Sequence, residues 1–113
     1  GLEIVWGFEL ETDGIRRVIE RIHDRVGAAK AYLTFDIDSL DPAFAPGTGT
    51  PVAGGLTSRE ALAILRALGP IDFVGGDVVE VAPPYDHADV TAIAGAAVVQ
   101  TWLGLEAEKR RRG

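Results

Sequence analysis

Residues 39–56 carry three prolines and four glycines, and this stretch constrains the fold more than any other part of the chain. Proline removes a backbone donor and glycine weakens regular structure, so neither a helix nor a central strand can run through it. A loop of that length in a compact domain is commonly functional. It has to be held between regular elements, and the flanking sequence supplies them. Before it, Ala31 to Asp36 is an apolar, aromatic run preceded by turn residues, the pattern of a buried strand in a parallel sheet. After it, Thr57 and Glu60 form a capping box, Ala61, Leu62, Ile64, Leu65 and Leu68 make one apolar face, and Gly69-Pro70 ends the helix.

The remaining elements follow from periodicity. Leu2 to Trp6 reads as a short strand, and Asp13 is placed to cap a helix whose apolar positions Ile15, Val18, Ile19, Ile22 and Val26 precede a stop at Gly27. Phe73 to Val81 is a further strand, in which Gly75-Gly76 marks a bulge or the close approach of another backbone. A second proline-rich turn, Ala82 to Tyr85, leads to a last helix from about Asp89 to Glu106. Within it, Ala92 to Val99 is apolar on nearly every face and is expected to be buried. The order predicts an α/β fold, a three-stranded parallel sheet with flanking helices joined by right-handed crossovers. Such a sheet leaves an edge unpaired and apolar faces uncovered. At 113 residues, with no Met and with Gly1 directly before an apolar run, the chain is read as part of something longer.

Charge narrows the partners. A net charge of -6 opposes general binding to nucleic acid or to an anionic membrane surface. The one basic run, Lys109 to Arg112, reads as a solvated helix C-terminus, where cations suit the macrodipole. Thr91, Gln100, Thr101 and two glycines argue against a membrane span in the last helix. With no cysteine there is no disulfide framework or thiolate chemistry, and a reducing cytoplasm is the simplest compartment.

Asp36 and Asp38 stand two apart at the C-terminal end of the central strand, where open α/β sheets bind ligands, so their side chains are expected on one side of the sheet. Two such carboxylates repel unless a positive group lies between them, and all-oxygen donors favour hard cations. The pair also suits turn-forming aspartates before Ser39. Asp41, before Pro42, is expected to hold a turn; Asp77, at a strand bend beside Gly76, has a similar structural reading, and Asp86, before a helix, is expected as a cap or anchor.

The run Phe35-Asp36-Ile37-Asp38-Ser39-Leu40-Asp41-Pro42-Ala43-Phe44-Ala45-Pro46-Gly47-Thr48-Gly49-Thr50-Pro51, followed by Gly54-Gly55-Leu56, closely resembles the signature of the arginase and agmatinase family. Asp77-Val78-Val79-Glu80-Val81-Ala82-Pro83-Pro84-Tyr85-Asp86 resembles the second C-terminal block of that family, in the form typical of agmatinases. The likeness runs from about Tyr32 to the end, while the first thirty residues match only in pattern. It implies that residues 1–113 are the C-terminal portion of a ureohydrolase catalytic domain with part of an arginase/deacetylase-like three-layer fold. It also implies a dinuclear Mn2+ centre in the complete enzyme, a homo-oligomer, and release of urea from a small guanidino compound such as agmatine, in polyamine metabolism.

By the same resemblance Asp36 and Asp38 match metal ligands, Glu80 matches the carboxylate that binds the guanidinium, and Thr50 borders the substrate pocket. A planar cation pairs best with a bidentate carboxylate, which agrees with the role of Glu80. The family's N-terminal histidine and Asp-x-His-x-Asp cluster have no counterpart here, so half of the metal shell is missing and the chain alone is expected to be inactive. His23 and His87 are assigned structural positions.

Other readings explain less. A calcium loop would put Leu40 at a ligand position without the turn glycine. A phosphatase of the haloacid dehalogenase type also places Asp-x-Asp at a strand end, but it leaves Pro42 to Pro51 unexplained. The reading from another class is a non-enzymatic fragment or assembly module.

Overall fold

The computed structural model describes all 113 residues and contains three helices and two strands. They are α1 (Glu9–Val26), β1 (Lys30–Asp36), α2 (Ser58–Ala67), β2 (Asp72–Val79) and α3 (Val90–Arg112), with short 3-10 turns at Ile37–Ser39 and Pro83–Tyr85. β1 and β2 pair in parallel, Lys30 opposite Asp72 at one end and Asp36 opposite Val79 at the other. The core architecture is thus one β-α-β unit. α2 makes the crossover, and α3 returns against α2 and β2.

The capping box of α2 is formed as its residues predict. The Thr57 hydroxyl accepts from the Glu60 N–H at 3.1 Å, and the Glu60 carboxylate accepts from the Thr57 N–H at 2.8 Å. The paired glycines of β2 also mark the predicted irregularity. The register slips between Ala31 and Tyr32, which face Phe73 and Gly75. A Cβ on Gly75 would stand 2.9 Å from the Tyr32 ring, and one on Gly76 3.0 Å from the Leu33 carbonyl.

Three expectations need correction. Leu2 to Trp6 forms no strand, so the sheet has two strands and not three. A strand exists only by pairing, and this segment finds a side chain instead: the Arg21 guanidinium donates to the Glu3 carboxylate at 2.8 Å and to the Ile4 carbonyl at 3.2 Å. The first helix starts earlier than Asp13, at Glu9, and is broken at Gly14 (φ 74°, ψ 164°). Asp13 does not cap the continuation; its carboxylate accepts from the Thr12 hydroxyl at 3.3 Å.

The third correction concerns α3. Only Thr91, Gly95 and Val98 are buried in it, whereas Ile93 is 64% exposed and Leu103 54%. One side of the helix meets the sheet, with Gly95 near Val78 and Val81 and Trp102 near Gly76; nothing in the chain covers the other side. By length and composition α3 is long and apolar enough to cross a membrane, and its inner side is the one packed on β2. Its basic end is not simply solvated. Lys109 lies 5.5 Å from the centre of the Phe73 ring, with Nζ donating to the Ile71 carbonyl and paired with Glu106.

The core sits beneath the long loop. Ile37, Leu40, Ala45 and Ala61 are buried together, with Phe35, Leu56, Val81 and Ala94 packed around them. His23 has the structural position expected of it, Nε2 lying 2.8 Å from the Ala67 carbonyl and joining α1 to the end of α2.

Candidate metal and substrate site

Ile37 has no exposed surface, and this buried anchor separates Asp36 from Asp38. The chain leaves β1 at Asp36 and turns at once into the 3-10 segment Ile37–Ser39. The two carboxylates are therefore not brought together by the alternation of a strand, because Asp38 lies beyond its end. An Asx-type turn links the two residues instead: the Asp36 Oδ1 accepts the Asp38 N–H at 3.0 Å. The other Asp36 oxygen has no donor within the chain.

The second carboxylate is held from the far side of the loop. The Thr50 hydroxyl donates to the Asp38 Oδ2 at 2.8 Å. Thr50 reaches that point because the loop is closed at its base. Asp41 N–H donates to the Leu56 carbonyl at 2.8 Å, and Leu56 N–H donates to the Ser39 carbonyl at 2.9 Å. Asp41 acts within this closure, accepting from the N–H groups of Ala43 at 2.8 Å and Gly54 at 2.9 Å. These backbone donors hold its carboxyl below the usual range. Gly55 is required at the closure, since a Cβ there would stand 2.5 Å from the Asp41 nitrogen.

Glu80 follows Val79, the register partner of Asp36, so it leaves β2 at the same end of the sheet as the Asp36–Asp38 turn. Its φ is 68°, in the left-handed region that costs a residue with a Cβ about 1 to 2 kcal/mol. Its side chain is exposed and makes no hydrogen bond or ion pair within the chain. A strained backbone presenting an unpartnered carboxylate is a pattern found at functional positions.

The two sequence blocks are locked to each other at Gly47. Gly47 N–H donates to the Thr91 hydroxyl at 2.7 Å, and its carbonyl accepts from Ala82 N–H at 2.7 Å. Asp86 accepts from the N–H groups of His87 at 2.9 Å, Thr91 at 3.0 Å and Ala92 at 3.1 Å, and so caps the start of α3 from upstream. Burial pushes the Asp86 carboxyl up, but the Thr91 hydroxyl and the three N–H donors outweigh it and hold it at about 2, below its ordinary 3.8. Asp77, at the other end of the block, is taken by the Tyr32 hydroxyl at 2.9 Å and the Thr34 hydroxyl at 2.7 Å.

Asp36, Asp38 and Thr50 are therefore joined by hydrogen bonds, and Glu80 joins them by register alone. No group of three or more His, Cys, Asp or Glu side chains in the chain is placed to hold a metal ion. Ile37, Gly47 and Thr91 build the site without entering it, and sequence alone gives none of them that role. Thr91 carried one readable signal, a hydroxyl at the head of an otherwise apolar helix. A groove of about 550 Å³ lies elsewhere, between Val5, Leu10 and the loop residues Ser39, Gly54 and Leu56.

Comparison with known proteins gives the family and the fold. A family model described as the arginase family matches residues 1–104. The agmatinase of Proteus mirabilis is 50% identical over 110 residues, 97% of this chain and 36% of that protein. The crystal structure of a hypothetical agmatinase from Burkholderia thailandensis superposes with a TM-score of 0.95 at 52% identity, covering 100% of this chain and 36% of that one. Proclavaminate amidino hydrolase from Streptomyces clavuligerus gives a TM-score of 0.90 at 44% identity over 93% of this chain and 35% of that one. The chain spans about a third of the length of the curated relatives it matches.

Proposed function

The chain belongs to the arginase family, and from that premise we propose that it is the C-terminal portion of a manganese-dependent ureohydrolase acting on an agmatine-like guanidino compound. The observation that carries the reading is the Asp36–Asp38 turn and Glu80 at the carboxyl ends of two parallel strands. The donor set fits a hard cation: one oxygen of Asp36 and one of Asp38 are engaged in fixing geometry, and the other oxygen of each is free to ligate. Two carboxylates are part of a shell, and the remaining ligands come from the rest of the longer protein.

When bound, manganese lowers the pKa of bound water toward neutrality, which makes it available as a nucleophile. The residues of this chain bind and orient. Asp36 and Asp38 hold the cation at the strand ends. Glu80 receives the guanidinium of the substrate in a charge-assisted, two-point contact, and Thr50 borders the same pocket. The strained backbone at Glu80 aims the carboxylate without leaving it a partner inside the protein. The relatives are called agmatinases, which favours agmatine over arginine as substrate, and the acidic composition suits a cationic one.

The test is elemental analysis and steady-state kinetics on the full-length protein. Asp36→Ala and Asp38→Ala should each lower manganese content together with activity. Glu80→Gln should keep the metal and lose about 2 to 5 kcal/mol of substrate recognition, the cost of breaking a desolvated charge pair. Full manganese occupancy in both aspartate variants would refute the ligand assignment, and unchanged kinetics in Glu80→Gln would refute the substrate contact.

A further inference from the structure

We propose that the Thr50 hydroxyl is a positioning group that orients the Asp38 carboxylate for cation binding, so that Thr50 acts through Asp38 and not by bonding the substrate; this rests on the reading of Asp38 as a metal ligand. The hydrogen bond is 2.8 Å long and spans twelve residues of sequence. Asp38 lies in a single 3-10 turn and is only half-buried, so packing alone does little to restrict its side-chain torsions. The hydroxyl supplies the missing constraint.

Three features aim that hydroxyl. Pro51 follows Thr50 and restricts its backbone to extended conformations. Threonine is branched at Cβ, which limits its first side-chain torsion to few rotamers. The loop that carries it is closed at its base by the Leu40–Leu56 bridge and by Asp41 on Gly54. The donor is thus presented by a frame whose conformational entropy is already spent on folding the loop.

The result is a chain of fixed groups. Thr50 holds Oδ2 of Asp38, the Asp38 N–H holds Oδ1 of Asp36, and the free oxygen of each carboxylate is left for the cation. Outer partners of this kind typically change metal affinity about 10- to 100-fold when removed. The single hydroxyl proton of Thr50 is committed to Asp38, and its lone pairs stay available to a donor, so the titration below is what separates the positioning role from a substrate contact.

The experiment is Mn2+ titration of the full-length protein by calorimetry, with Thr50→Val, Thr50→Ser and Asp38→Asn compared. Thr50→Val, which keeps the shape and deletes the donor, should weaken Mn2+ binding about 10- to 100-fold. Thr50→Ser should recover most of the affinity. Thr50→Val with parental Mn2+ affinity and a raised KM would overturn the proposal, as would equal losses in Thr50→Ser and Thr50→Val. Asp38→Asn separates the two levels of the argument. If it loses Mn2+ while Thr50→Val does not, only the positioning role fails; if it binds as the parent does, the ligand assignment under the proposed function fails with it.

Discussion

At Glu80 the usual ranking of alanine over glycine should be inverted. With φ at 68° and no partner for its side chain inside the chain, Glu80 contributes strain and no compensating contact to the fold. A left-handed conformation costs a residue with a Cβ about 1 to 2 kcal/mol. Glycine escapes that cost but gives up about 0.5 to 1 kcal/mol of unfolded-state entropy relative to alanine. The difference leaves Glu80→Gly more stable than Glu80→Ala by up to about 1.5 kcal/mol. Both variants remove the carboxylate, so both should lose turnover of a guanidino substrate in the full-length protein while only one gains stability. Urea denaturation followed by far-ultraviolet circular dichroism measures the difference. If Glu80→Ala proves the more stable of the two by the ordinary margin, the strain argument at this position is wrong.

The frame beneath the site yields three further expectations. Ile37→Ala should cost about 2 to 5 kcal/mol, because the side chain is fully buried between the two aspartates, and urea denaturation should find the loss at the upper end of that range. Gly47→Ala places a methyl group 2.8 Å from the Asp86 Cβ and 2.9 Å from its Cα; overpacking of that kind costs about 1 to 3 kcal/mol, and a thermal melt unchanged from the parent would refute the contact. Asp86 is held at about 2 against an ordinary 3.8, so its stabilisation is present above pH 3.8 and is lost as pH falls through about 2. Asp86→Asn should therefore flatten the acid limb of stability in that window, and an identical slope in parent and variant would contradict the assignment.

Local chemistry was legible wherever it closed within a few residues. The α2 capping box and the turn of Asp41 onto Ala43 depend on neighbours in sequence, and both are found in the structure, whereas the glycines of β2 marked an irregularity whose cause, Tyr32 and Leu33, lies across the sheet. Leu2 to Trp6 was misread because strand propensity describes a segment that fits a sheet and cannot supply the neighbour it pairs with. The same limit applies to α3, whose apolar surface was expected to be buried and is covered on one side only. At the site, the residue identities were readable but the geometry was not. Alternation along a strand would have set Asp36 and Asp38 side by side, whereas the chain turns after Asp36 and relies on its side chain to hold Asp38. The bond from Thr50 depends on closure of a loop whose path the sequence does not contain.

The central claim is that this chain supplies one part of a manganese ureohydrolase site and depends on the rest of the longer protein for the remainder. It is tested most directly by a urea-release assay with agmatine and Mn2+, run on the full-length protein, on its Asp38→Ala variant, and on the 113-residue chain alone. The account predicts urea from the first and none above background from the other two. Robust urea release from the 113-residue chain, or undiminished release from Asp38→Ala, would contradict it.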